Sequence, residues 1–452
     1  MGSAIPSFLL VGSNSIPSRA WHFYYPGYQV ADLAPDPPPA GVRGCARNEK
    51  QRSGQVSSAF CKRNTQSSTC TRKILAAHEM KKRSSTHSRR QAARHLMNLR
   101  QVQDSMTVAE QPSIRNSLLA GLQGGITAAI ALPLVLLSAW PHLVGFASLG
   151  ALVALFGRFA PRRDRNMIVF LCLICQVTAV FSMSAVAWLG MSYTFQLCLL
   201  ALSCGIFLFV GLVFGFGPPG PLIFVFAGAA SMSDGLSFDQ VIERTAATTA
   251  VALLALFICA ATERFRYTHP SEAPGPGTPK LPIPHLLTMA GRASVGAGIA
   301  AFTSYLLGAN HPAWAAMGAL AVLQGTNLHI NMNRALQRTA GTVVGAFLAW
   351  GVLVQDPSAW VIIGVLVGLQ ILTEIVIGYN YAIGQVLVTP MALLMTQLAA
   401  PQSAGAQMAP ERVLDTVLGV AVGVGIAVLL SSIDDRRHLA KRHGRPDDAR
   451  ET

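Results

Sequence analysis

Charge is scarce in this sequence: 12% of its 452 residues are Asp, Glu, Lys or Arg, while 51% are hydrophobic. Soluble domains carry about twice that share of charge, so the chain is not built to face water on all sides. It also lacks a G-x-S-x-G elbow, a Walker A loop and an H-E-x-x-H pair, and its eleven histidines are scattered. Those absences exclude the common hydrolase, ATP-driven and zinc-protease readings, and no enzyme activity, cofactor or metal is expected. Cysteine supplies no framework either. Of eight, Cys45, Cys61 and Cys70 lie in the first 105 residues and the other five in apolar stretches. Cys172-x-x-Cys175 has redox spacing, but it sits in an apolar helical run without the further ligands a metal site needs, and reads as packing.

What charge there is has a location. Residues 1–105 hold 16 Lys/Arg against 5 Asp/Glu, and so +11 of the net +14. This segment mixes Pro, Ser, Thr, Arg and Lys without sustained periodicity, a composition that cannot bury a core. Residues 1–112 are therefore expected to be a disordered basic arm, solvated rather than bound to nucleic acid. Met97 and Met106 are alternative starts that would leave the apolar part whole.

From Ser117 onward apolar runs follow one another at 117–139, 142–159, 167–190, 193–215, 219–233, 245–262, 285–307, 312–326, 337–354, 359–378, 381–400 and 413–431. The expected fold is thus an all-α integral membrane protein with about twelve transmembrane helices. Alternate loops carry the basic residues: Arg158 to Arg165, then Arg264, Arg266 and Lys280, then Arg334 and Arg338, then the 433–452 tail. By the positive-inside rule both termini and the Pro/Gly-rich 264–284 linker face the cytoplasm.

The two halves on either side of that linker, 113–263 and 285–432, resemble each other. Ala147-Ser-Leu-Gly-Ala-Leu aligns with Ala315-Ala-Met-Gly-Ala-Leu at an offset of 168, and Glu243-Arg244 with Glu411-Arg412 at the same offset. Two separated matches at one spacing predict two six-helix repeats of the same orientation, with a path at their interface.

The stretch 331–346 is the most informative. Arg334, Arg338, Gly341, Thr342 and Gly345 fall at i, i+4, i+7, i+8 and i+11, one stripe of a helix. Two readings stand. The arginines are anchors reaching to head groups while the glycines admit a neighbouring helix, or they form the cationic mouth of an anion path walled by the Gly/Thr groove. Glu374 lies deep in an apolar run, either as an interhelical hydrogen-bonding group or as a proton carrier or partner of Arg334 or Arg338. Arg412 and Asp415, at i and i+3 with Thr416 beside them, form a local salt bridge, or Arg412 joins its counterpart Arg244 in an outer basic ring. Tyr381 and Gln385, one turn apart, pack or touch a solute.

Three motifs carry a resemblance: Arg334-Ala-Leu-Gln-Arg338-Thr-Ala-Gly341-Thr342-Val-Val-Gly345; Glu374 followed by Asn380-Tyr381 and Thr389-Pro390; and Glu411-Arg412-Val-Leu-Asp415-Thr416-Val-Leu-Gly419. They resemble the fusaric acid resistance, or aromatic acid exporter, family of bacterial inner-membrane proteins, itself distantly similar to the plant aluminium-activated malate transporters. The first half departs from the pattern, since Arg158 to Arg165 keeps the charge but not the spacing, and no large soluble domain separates the halves. The resemblance implies a bacterial inner-membrane exporter of small organic, including aromatic, carboxylate anions, coupled to protons. A passive anion channel and a non-transporting scaffold for envelope assembly are the alternatives. The partners expected are the anion, the bilayer and further copies of the chain, not nucleic acid.

Overall fold

The computed structural model describes residues 89–96, 99–107, 113–267, 281–399, 405–432, 435–436 and 439. Within them the secondary structure is helical. Two short helices come first, α1 (Arg89–Leu96) and α2 (Leu99–Ser105). Then follow α3 (Ile114–Leu136), α4 (Val144–Ala151), α5 (Arg162–Trp188), α6 (Tyr193–Phe214), α7 (Leu222–Ser231) and α8 (Phe238–Ala261). After the linker come α9 (Ile283–Leu306), α10 (Ala313–Leu323), α11 (Leu328–Leu353), α12 (Ala359–Val376), α13 (Tyr381–Ala399) and α14 (Met408–Leu429).

Each expected apolar run is thus met by a helix, but not every one can cross a bilayer. Among the described residues eight helices are long and apolar enough to do so: α3, α5, α6, α8, α9, α12, α13 and α14. The run 312–326 yields only the eleven residues of α10, about 16 Å at 1.5 Å per residue, half of a ~30 Å hydrocarbon core. All eleven are buried, as are all eight of α4. Both are apolar on every side, so protein surrounds them rather than lipid. On the outside, by contrast, large apolar side chains such as Leu134, Phe257, Leu306, Phe347 and Leu414 are exposed. An apolar coat of that kind suits hydrocarbon, and the chain is a multi-pass membrane protein.

Local chemistry sets several helix ends. Ser237 caps α8, accepting from the Gln240 amide while the Gln240 side chain accepts from the Ser237 amide, a reciprocal capping box. Gly215 ends α6 in the left-handed region at φ 64°, a conformation costly for any residue with a Cβ.

Packing follows a regular plan. α4 lies against α8 and α10 against α14; α5 contacts α7 and α11 contacts α13. Across the halves α3 packs on α12 and α6 on α9, while α4 touches α13 and α7 touches α10. The α11–α13 contact is close because Gly341 and Gly345 face it. A Cβ on Gly341 would come 2.5 Å from the Ala382 carbonyl, and one on Gly345 2.6 Å from that of Val386.

The amino-terminal arm departs from the expectation of disorder through residue 112. Residues 1–88 lie outside the described set, but α1 and α2 are helical and α2 packs on α11. Gln101 Nε2 donates to Asn333 Oδ1 (2.6 Å) and to the His329 carbonyl (3.2 Å). Gln337 Nε2 donates to the Ser105 carbonyl (2.8 Å) and Asn380 Nδ2 to that of Thr107 (3.1 Å). Gln337 of α11 and Asn380, just before α13, hold this segment by its backbone carbonyls, while its own Gln101 reaches α11, contacts that a search for an apolar pattern overlooks. The core of the 264–284 linker, residues 268–280, also lies outside the described set, as does most of the 433–452 tail.

Candidate functional site

A cavity of about 510 Å³ opens between the halves. This is within the usual range for a small-molecule pocket, about 300–1,000 Å³. α11 supplies Arg334 and Arg338 to its wall, α14 supplies Arg412, α12 supplies Thr373 and Glu374, and α13 supplies Tyr381 and Gln385. Arg158, which follows α4, enters from the first half. Phe159, Phe226, Met317 and Met391 make other parts of the lining apolar and aromatic. Thr107, at the end of the amino-terminal segment, reaches the rim.

The arginines of this region divide into two kinds. Arg158 is spoken for: its Nη1 lies 2.7 Å from Glu374 Oε2 and donates to the Glu374 carbonyl at 3.1 Å, both residues being buried. So is Arg165, which meets Glu263 at 2.8 Å and Gln123 at 2.5 Å. Arg266 bridges the two pairs, contacting Glu263 at 3.3 Å and donating to the carbonyls of Arg158 (2.8 Å) and Ala160. Three arginines and two carboxylates thus form one connected buried network. A buried ion needs such compensation, because each charge taken out of water costs several kcal/mol.

Arg338 and Arg412 are the other kind. Each is buried, at 3% and 4% exposure, and among the described residues neither has an ion-pair partner. Arg338 Nη1 reaches Tyr381 Oη at 3.3 Å and Gln385 Oε1 at 3.4 Å, both long for such contacts, and its Nε has no hydrogen-bond partner. Arg412 stacks over Trp314 at 5.1 Å, leaving Nε and Nη1 without acceptors. Half-buried Arg334 Nη1 reaches Gln324 Oε1 at 3.5 Å and, among the described residues, has no ion-pair partner. Arg338 and Arg412 both line the cavity without a carboxylate partner among the described residues, an arrangement suited to an anion that supplies acceptors.

The candidates from the sequence fall into three groups. Arg334, Arg338, Glu374, Tyr381 and Arg412 share the cavity. Gly341, Thr342 and Gly345 are buried but absent from its wall; the groove that the two glycines form is filled by α13. Asp415, Thr416 and Arg244 also lie off the wall. Arg244 sits over Phe146 at 4.8 Å, with Nη1 at 3.4 Å from both the Ser231 carbonyl and Ser233 Oγ.

Two expected pairings are corrected. Glu374 pairs with Arg158, not with Arg334 or Arg338, because the turn after α4 delivers Arg158 from the other half beside it. Arg412 and Asp415 form no ion pair: the guanidinium turns to Trp314, while Asp415 Oδ1 accepts from Ser304 Oγ at 2.5 Å. Sequence reasoning also missed Trp314 as the platform under Arg412. The signal existed, since Phe146 stands 168 residues earlier and serves Arg244 in the same way.

Residues 299–426, which hold Arg334, Arg338, Glu374, Tyr381 and Arg412, match the family described as fusaric acid resistance protein-like. A relative in Bacillus subtilis (strain 168), the uncharacterized membrane protein YvaC, is 32% identical over 117 residues, covering 26% of this chain and 18% of that protein. The matched part is thus under a fifth of that relative's length. No solved structure matches the chain.

Proposed function

We propose, for a chain whose residues 299–426 match the fusaric acid resistance protein-like family, that it is a bacterial inner-membrane exporter. Its cargo is a small organic carboxylate, aromatic acids included, and protons drive it. The observation that carries this reading is the pair of buried arginines, Arg338 and Arg412, on one cavity wall with donor atoms unfilled. Glu374 is taken by Arg158 and Glu263 by Arg165 and Arg266, and Asp415, on the same helix as Arg412, lies outside ion-pair distance of it. Tyr381, Phe159 and Phe226 on the same wall give an aromatic ring apolar and π surfaces. A role in transport rather than in catalysis agrees with the lack of any nucleophile–base constellation in the sequence.

We read the fold as two six-helix repeats of like orientation, with α4, α7 and α10 as short members and both termini cytoplasmic. In support, the packing of α3, α4, α5, α7 and α8 on one another and on the other half recurs in α9, α10, α11, α13 and α14. The stacked pairs Arg244/Phe146 and Arg412/Trp314 recur at the same offset of 168.

Counterflow tests the reading. Proteoliposomes of the full chain, loaded with unlabelled phthalate, should take up external [¹⁴C]phthalate, and Arg338→Ala and Arg412→Ala should abolish the uptake. Phthalate is chosen because its dianion leaks slowly. Absence of exchange for phthalate and for a panel of aromatic and aliphatic carboxylates would refute the proposal.

A further inference from the structure

Among the described residues three carboxylates are buried to 9% exposure or less: Glu263, Glu374 and Asp415. Glu263 has Arg165 and Arg266, and Glu374 has Arg158. Among the described residues Asp415 has no cation within ion-pair distance. Its Oδ1 takes the Ser304 hydroxyl at 2.5 Å, and its Oδ2, also buried, has no hydrogen-bond partner. One turn earlier, by contrast, Glu411 is saturated: Oε1 accepts from the amides of Asn310 (2.6 Å) and His311 (2.8 Å), and Oε2 meets His311 Nδ1 at 3.0 Å. Glu411 holds the loop into α10. Asp415 has no such task.

The other half shows that the architecture does not require this acid. At the offset of 168, Ala247 stands in place of Asp415 and Leu136 in place of Ser304. Around Ala247 the polar groups are satisfied: Arg244 has its two oxygen contacts, and Thr248 Oγ1 donates within reach of the Arg244 (2.9 Å) and Phe146 (3.2 Å) carbonyls. Around Asp415 they are not. Arg412 Nε and Nη1, Asp415 Oδ2 and Thr416 Oγ1 all lack partners, and all three residues are at most 4% exposed. An unpaired carboxylate in such a place is costly as an anion and inexpensive as a neutral acid, so its stable form depends on whether a proton is bound.

We propose that Asp415 is the proton-carrying residue of this protein, taking up one proton at Oδ2 in exchange for each anion moved through the neighbouring arginine cavity. This rests on the transport reading above. The step makes one O–H bond from a solvent proton and breaks it on release at the other face, with Oδ1 still accepting from Ser304. Arg412 is the link, since it lies on the same helix as Asp415 and also lines the cavity. The charged and titratable groups facing Asp415 are Arg412 and Glu411 of its own helix, His311 before α10, and Tyr193 of α6, whose ring packs 5.6 Å from that of Tyr305 on α9.

The test uses acid-inside proteoliposomes of the full chain with the membrane potential clamped and [¹⁴C]phthalate outside. Exchange of one proton per anion sustains about a tenfold accumulation per unit of pH gradient, since both correspond to about 1.4 kcal/mol. Passive entry of a weak acid would run the other way, towards an alkaline interior. Wild type and Asp415→Glu should accumulate phthalate; Asp415→Asn should reach an inside-to-outside ratio of about one while still exchanging phthalate in counterflow. Accumulation by Asp415→Asn, or its loss of counterflow as well as accumulation, would overturn the assignment. Wild type that exchanges phthalate but does not accumulate it would overturn it too, leaving a passive anion path. Wild type inactive in both assays would remove the transport reading and this inference with it.

Discussion

Replacing Arg338 by lysine separates anchoring from binding. Lysine keeps the charge and an apolar stem, so a residue that only anchors α11 should tolerate it. The surrounding protein loses little, because the two contacts of Arg338 Nη1, at 3.3 and 3.4 Å, are long and Nε has none. Folding should therefore survive, with the melting temperature close to wild type. A bound carboxylate loses more. It meets the planar guanidinium fork through two parallel hydrogen bonds, and a single ammonium cannot reproduce that geometry. One lost charge-assisted bond is worth about 1.5–3 kcal/mol, or roughly a ten- to hundredfold rise in half-saturation concentration. The assay is the concentration dependence of phthalate exchange at matched protein content. Half-buried Arg334, nearer the water, should shift by much less when changed to lysine. Wild-type kinetics for Arg338→Lys would return this residue to the role of an anchor and refute the reasoning from the unfilled donors.

Breaking the Arg158–Glu374 pair from one side strands a buried charge, so Glu374→Ala should cost about 3–5 kcal/mol, read as a large fall in detergent melting temperature, while Arg158→Leu with Glu374→Leu should recover much of it. Gly345→Val should destabilise by about 1–3 kcal/mol by forcing α11 from α13, whereas Gly351→Ala, whose added Cβ meets nothing within 4 Å, should be neutral or slightly stabilising in the same assay. A chain begun at Met106 should still insert, and Gln337→Cys should react faster with a water-soluble thiol reagent in it than in the full chain, because the Ser105 carbonyl no longer holds that position; equal rates would mean that residues 99–105 do not cover the rim. Gly275→Cys, in a cysteine-free background, should resist external labelling in intact cells, and labelling from outside would overturn the cytoplasmic placement of the 264–284 linker.

Much of the helical pattern was legible in the sequence because lipid allows few alternatives, and every long apolar run became a helix. Span length was less legible. The runs 142–159 and 312–326 look like their neighbours in composition, yet α4 and α10 are half-spans, and only their burial by other helices distinguishes them. Of the site, the stripe from Arg334 to Gly345 was readable from helical spacing, including the close approach its glycines permit. Pairings across the halves were not readable, since nothing near Arg158 in the chain points to a carboxylate 216 positions away. Loop arithmetic counted Arg158 and Arg165 as cytoplasmic charges, whereas burial and pairing occupy both. Hydrogen bonds from side chains to backbone, such as those holding residues 99–107, leave no periodic trace at all.

The Arg158–Glu374 pair also bears on how the molecule is assembled. During synthesis the ribosome delivers Arg158 well before Glu374, so the first half can already be lodged in the bilayer when α12 emerges. The incoming carboxylate then finds its cation waiting, and α12 settles against α3 with the charge already matched. Reversed, the order would expose a lone carboxylate in hydrocarbon while its partner was still unmade. Made alone, the second half would meet the same difficulty with no remedy, although it contains the whole family segment 299–426. The earlier helices thus act as a template on which the later ones are completed, and two separately expressed halves should form a stable product only when both are present in one membrane.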